Sequence, residues 1–124
     1  FFKVITPMTG LASPYTMVLH GSGQENGSEV KIDFLNVKKA ALILRALNHK
    51  LRQQMLQLLD EKQKMTVTEL YVQLRLEQSV ASQHLAILRR AGMVITTREG
   101  KFIYYSVNHK RLAEIYSFVE QLLG

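Results

Sequence analysis

With 124 residues, 47% of them hydrophobic, the chain suits one ordinary globular domain with a modest core. It has no cysteine, which excludes a disulfide framework, thiolate metal sites and thiol-based redox sensing. The formal charge of +6 is high for this size and uneven, because residues 75–111 carry seven Lys and Arg against two Glu, the electrostatic footprint that a nucleic-acid partner requires.

Residues 1–29 read as an N-terminal extension and flexible linker, with residues 20–28 (HGSGQENGS) the linker by composition. No apolar run reaches the ~18 residues of a membrane span. Pro7, Gly10 and Pro14 interrupt the apolar residues near the start, and no charged-then-apolar signal pattern follows. A cytoplasmic protein with no membrane contact is expected. Residues 30–124 read as the folded domain.

A first helix is predicted over residues 33–48. Val37, Ala40, Ala41, Leu44 and Leu47 form one stripe, with Leu42 and Ile43 beside it. A helix apolar on more than one face needs more than one partner. A second helix over residues 50–62 has the narrower stripe Leu51, Met55, Leu58 and Leu59. Thr66 and Glu69 have the spacing of a capping box, which opens a short third helix running to about residue 75. A tight turn at Leu76 and Glu77 leads into a fourth helix, so the pair has helix-turn-helix geometry.

The fourth helix, residues 78–91, has two unlike faces. Val80, Ala81, Leu85, Ile87, Leu88 and Ala91 gather on one side, and Ser79, Ser82, Gln83, Ala86 and Arg90 on the other. Short hydroxyls and an amide let a helix approach base edges, and the arginines lie a turn or two further on, where phosphates would be. Gly92 ends the helix by taking the left-handed conformation without a steric penalty. Two strands over residues 93–97 and 102–107 follow, joined by the polar turn Arg98, Glu99, Gly100 and Lys101. The last helix, residues 109–123, aligns Leu112, Ile115, Tyr116, Val119, Leu122 and Leu123. That stripe is too long for one small domain to cover, and a second subunit is its natural partner.

The run Gln78-Ser79-x-x-Ser82-x-His84-Leu85-x-x-Leu88-Arg89-x-Ala91-Gly92-Met93-Val94, followed by Arg98-Glu99-Gly100-Lys101 and Tyr105-x-Val107, closely resembles the ArsR family of bacterial winged helix-turn-helix repressors. The resemblance covers roughly residues 33–123. It implies a mainly α, winged helix-turn-helix fold of order α-α-α-α-β-β-α, dimeric through the first and last helices, with double-stranded operator DNA as partner. On that reading Gln78, Ser79, Ser82 and Gln83 contact base edges and the groove. His84, Arg89 and Arg90 hold phosphates, and Arg98 and Lys101 let the wing touch the neighbouring minor groove or backbone. Leu44, Leu112, Ile115, Tyr116, Val119 and Leu122 are the expected dimer-interface residues. The expected function is repression by a homodimer that occludes a promoter at an inverted-repeat operator. Glu77 departs from the family, which commonly opens this helix with a small hydroxyl residue.

Two other functions fit the same pattern: a winged-helix protein-interaction module with little DNA affinity, and a sensor repressor with a non-thiolate ligand site. Many members of the family sense metals, but at their ligand positions this chain has Tyr71, Gln73, Asn108 and Lys110, and a lone His109 makes no tetrahedral site. No metal or other cofactor is expected. His84 lies toward the buried edge of its helix, where a structural role and a phosphate contact are both open. Ser82 and His84 point about 200 degrees apart on a helix, no acid is placed to orient a base, and no phosphate-binding glycine loop exists, so no enzymatic activity is expected.

Overall fold

The computed structural model describes residues 14–21 and 29–124. The elements are β1 (Thr16–Leu19), β2 (Val30–Asp33), α1 (Phe34–Leu47), α2 (Lys50–Lys62), α3 (Val67–Leu74), α4 (Gln78–Arg90), β3 (Val94–Glu99), β4 (Phe102–Val107) and α5 (His109–Leu123). The expected order α-α-α-α-β-β-α holds from α1 to α5, but two strands precede it. By its internal packing the chain divides into two compact units, residues 1–42 and 43–124.

In the first unit β1 and β2 pair antiparallel, with Thr16 opposite Asp33 and Leu19 opposite Val30. The linker expected at residues 20–28 therefore joins two paired strands, and the pairing crosses the boundary drawn at residues 29 and 30. Two four-residue strands separated by a long polar segment lack the short turn that announces a hairpin. Asp33 caps the helix that follows, its Oδ1 accepting the Leu35 N–H at 2.9 Å.

The second unit is built on a core of Ala46, Met55, Leu56, Leu59, Met65, Leu70, Ala81, Leu85, Leu88, Ala91, Met93, Val94 and Ile115. The predicted capping box is present. Thr66 Oγ1 accepts the Glu69 N–H at 3.2 Å, and Glu69 Oε1 accepts the Thr66 N–H at 2.9 Å. Arg75 closes α3 in the left-handed conformation at φ 56°, and its own N–H returns to the Val72 carbonyl. Gly92 closes α4 at φ 78°, where the N–H groups of Gly92 and Met93 return to the carbonyls of Arg89 and Leu88. A side chain at Gly92 would also meet the Arg111 guanidinium, whose Nε donates to the Ala91 carbonyl at 3.2 Å and fastens α5 to the end of α4.

The wing is longer than expected. Arg98 and Glu99, read from the sequence as turn residues, belong to β3 and pair with Ile103 and Phe102. Only Gly100 and Lys101 turn the chain, because Gly100 at φ 64° permits the tightest hairpin connection. Met65 extends the sheet by exchanging two backbone bonds with Tyr105, at 3.0 and 2.7 Å. Lys64 reaches both Glu99 carboxylate oxygens at 2.7 and 2.8 Å and lies 4.7 Å above the Tyr104 ring, pinning the wing to the segment before α3.

The stripe on α5 also needs correction. Ile115, expected at a dimer interface, is 6% exposed in the core of its own subunit, and Leu112 and Leu44 pack partly against that core. Beyond Ile115 every residue of α5 is exposed except the half-buried Val119. Tyr116, Phe118, Leu122 and Leu123 form the open apolar surface. The stripe serves two purposes in succession because α5 outlasts the core it packs on. No described helix is long and apolar enough to cross a membrane.

Candidate nucleic-acid interface

α4 is anchored by its apolar face. Ala81, Leu85 and Leu88 are fully buried, with Val80 and Ile87 half-buried beside them. The opposite face leaves Gln78, Ser79, Ser82, Gln83, Ala86, Arg89 and Arg90 exposed. Burial of the stripe fixes the rotation of the helix about its own axis, so the polar residues are presented together. The side chains of Gln78, Ser79, Ser82, Gln83 and Arg89 make no hydrogen bond or ion pair among the described residues. Their donors and acceptors are free for a ligand, which is what direct reading of base edges requires.

The remaining expected contacts are less open. Arg90 Nε donates to the Ala86 carbonyl at 3.4 Å along its own helix, and Arg98 Nε donates to the Gly100 carbonyl at 3.1 Å. Lys101 lies 5.4 Å from the centre of the Phe102 ring, with its ammonium exposed. These are weak tethers on exposed cations, easily exchanged for a phosphate. Glu77 precedes α4 as its N-cap residue, but its carboxylate makes no capping bond.

His84 is held differently. Its Nδ1 lies 3.1 Å from Arg52 NH1, and its ring stands 4.9 Å from that of His49. Burial, and then the neighbouring His49 and Arg52, hold its pKa below the usual histidine value. The structure thus gives the ring a partner inside the subunit. Arg52, which the sequence presents as one more polar position on α2, is 6% exposed. Helical spacing places Arg52 with Met55, Leu56 and Leu59 on the buried side of α2, but a lone charge there names no partner. The free carbonyls at the end of α1 supply it, since Arg52 Nε and NH2 donate to the carbonyls of Ala46 and Arg45 at 2.7 and 3.0 Å. Sequence reasoning also passed over Arg75, exposed in the turn between α3 and α4, where its charge adds to the basic surface.

At the positions of possible metal ligands, His109 Nε2 pairs with Asp60 Oδ1 of α2 at 2.6 Å. Among the described residues no group of three His, Asp or Glu side chains could hold an ion.

The profile described as "Bacterial regulatory protein, arsR family" matches residues 49–96, from the start of α2 into the wing. The Vibrio cholerae transcriptional activator HlyU is 34% identical over 87 residues, which cover 70% of this chain and 80% of HlyU. The chain belongs to the ArsR family. A second relative, the transcriptional repressor PagR of Bacillus anthracis, is 33% identical over 86 residues, covering 68% of this chain and 85% of PagR. The crystal structure of HlyU from Vibrio vulnificus CMCP6 superposes with a TM-score of 0.52 at 37% identity, covering 71% of this chain and 92% of that one. The family and these relatives are transcriptional regulators, not enzymes, and this member is a DNA-binding transcriptional regulator of the same winged helix-turn-helix type.

Proposed function

We propose that the protein is a homodimeric repressor that occludes a promoter by binding an inverted-repeat operator. The observation that carries this reading is the face of α4 on which Gln78, Ser79, Ser82 and Gln83 stand exposed and unpartnered on a helix whose other side is locked into the core. These four residues read base edges. Arg89 and Arg90 hold flanking phosphates, and Arg98 and Lys101 bring the wing to the adjacent minor groove or backbone. His84 is removed from the phosphate contacts on account of its bond to Arg52.

The dimer forms through the first and last helices. Leu44, Leu112, Tyr116, Val119 and Leu122 are the interface positions, and the exposed Phe118 and Leu123 are added to them. Ile115 supports the interface from within. A two-fold dimer presents two copies of α4, which is why the operator is an inverted repeat. Repression by occlusion requires only DNA binding, and α4, the wing and the dimer contact supply it. PagR is a repressor and HlyU an activator, so the sign of regulation is tested directly. The protein is used to select sites from a randomised duplex pool, and transcription in vitro is then followed from a promoter overlapping the selected site. The expected result is a two-fold symmetric consensus and falling transcript with added protein. An asymmetric consensus contradicts the dimer, and rising transcript contradicts repression.

A further inference from the structure

The bond between Arg52 and His84 crosses three elements. Arg52 lies on α2, and two of its nitrogens close the carbonyls of Arg45 and Ala46 at the end of α1. A cation there also answers the negative end of the α1 dipole. Its third nitrogen, NH1, meets Nδ1 of His84, midway along the helix that reads DNA. A guanidinium has donors only, so the bond requires a lone pair on Nδ1 and places the imidazole proton on Nε2. Gain of a second proton at His84 removes that acceptor and sets an imidazolium against the guanidinium. We propose that Arg52 is a positioning residue for DNA reading, which ties α4 to the end of α1 through neutral His84, and that protonation of His84 releases the tie and weakens operator recognition.

This inference rests on α4 being the reading helix. The titratable or charged groups that face His84 are Arg52 from α2 and His49 from the segment before it. Neither α3 nor β3, the other elements packed on α4, nor α4 itself contributes a group that moves its titration. No carboxylate shares the cluster to compensate the added charge. The chemistry fixes the sign. Because the operator-bound form prefers neutral His84, affinity is intact wherever the free protein also keeps His84 neutral, and it is lost only as pH falls through the lowered pKa of the free protein, which lies below the usual histidine value. The loss approaches about tenfold per pH unit for each subunit, the limit for uptake of one proton. A His84 that instead bonded a phosphate would give the opposite sign, because protonation would strengthen that contact.

The test uses the whole chain and a duplex selected by it at pH 8, with affinity for that duplex and for a scrambled one measured from pH 8 to pH 5.5. The expected result is specific affinity that falls on the acid side of the usual histidine value of about 6.5 while affinity for the scrambled duplex does not fall. His84→Asn, which cannot titrate, should abolish the acid limb whatever its affinity at pH 8. Arg52→Lys offers one ammonium where three acceptors wait, and should lose both discrimination and the acid limb while its thermal unfolding stays cooperative. Specific affinity that rises on acidification overturns the proposal, as does an acid limb that survives His84→Asn or full discrimination in Arg52→Lys. If Arg52→Lys does not fold, nitrogen NMR of the native imidazole decides, because a proton on Nδ1 at pH 8 is incompatible with the bond. Failure to select any consensus at pH 8 overturns the reading of α4 and this inference together, whereas a consensus without the expected pH profile overturns only the inference.

Discussion

α4 and α5 are both amphipathic helices of similar length, yet the subunit completes one and leaves the other unfinished. The apolar stripe of α4 is buried along Ala81, Leu85 and Leu88 with Val80 and Ile87 half-buried beside them, and its exposed side is mostly polar. The stripe of α5 is buried as far as Ile115 and then runs into solvent with Tyr116, Phe118, Leu122 and Leu123 uncovered. A polar face with unpaired donors and acceptors suits a partner that supplies hydrogen bonds and charge. An apolar face suits one that removes it from water. The protein thus carries two surfaces of opposite chemistry, a polar one suited to DNA and an apolar one suited, on the proposed reading, to a second copy of itself.

Substitutions inside the two stripes should have the largest effect. Leu85→Ala removes a fully buried side chain behind the reading face and should cost about 2–5 kcal/mol in urea unfolding. Ile115→Asp should abolish the cooperative transition, since it buries an unpaired carboxylate in the subunit core. A stable, folded Ile115→Asp would move that residue back to the interface.

Leu122→Asp sharpens the contrast, for Leu122 is 66% exposed within the subunit. The variant should keep its helical circular dichroism and sediment as a monomer, with operator affinity lost although no DNA-facing residue changes. A Leu122→Asp variant that remains dimeric would place the interface elsewhere.

Next comes the polar side. Ser82→Ala with Gln83→Ala should reduce discrimination between operator and random DNA by roughly 1–3 kcal/mol for each base-reading side chain truncated, leaving binding to random DNA nearly intact. A salt titration of Lys101→Ala should show the smallest effect. Both DNAs should bind slightly less tightly, with the slope of log affinity against log salt reduced by about one for the phosphate that Lys101 no longer neutralises. Loss of specificity in Lys101→Ala alone would transfer the reading from α4 to the wing.

Much of this was legible because local chemistry and tertiary packing agree along residues 66–93. The capping box at Thr66 and Glu69, the two-faced pattern of α4 and the stop at Gly92 each state in sequence what the structure does. What escaped depends on distant partners. The β1–β2 pairing joins segments too far apart for a turn signal. Arg98 and Glu99 read as turn residues by polarity, but register with Ile103 and Phe102 draws them into the strand. Helical spacing put Ile115 and Leu122 on one stripe, yet periodicity does not say where the core beneath a helix ends. Helical spacing sets Arg52 on the buried side of α2, but the α1 carbonyls that satisfy its charge lie outside its own helix. At the interface, exposure of the α4 polar face followed from the pattern, which also left a structural role open for His84 without naming Arg52 as its partner.

The claim that α4 reads the bases is tested most directly by changing one of its residues and asking which DNA the protein then prefers. Gln83→Arg places a guanidinium on the exposed face, and arginine pairs with the two acceptors of guanine in the major groove. Selection from a randomised duplex pool by the native chain and by this variant should yield two consensus sites of the same spacing, differing at one symmetric pair of positions in favour of guanine. An unchanged consensus, at whatever affinity, would contradict the account.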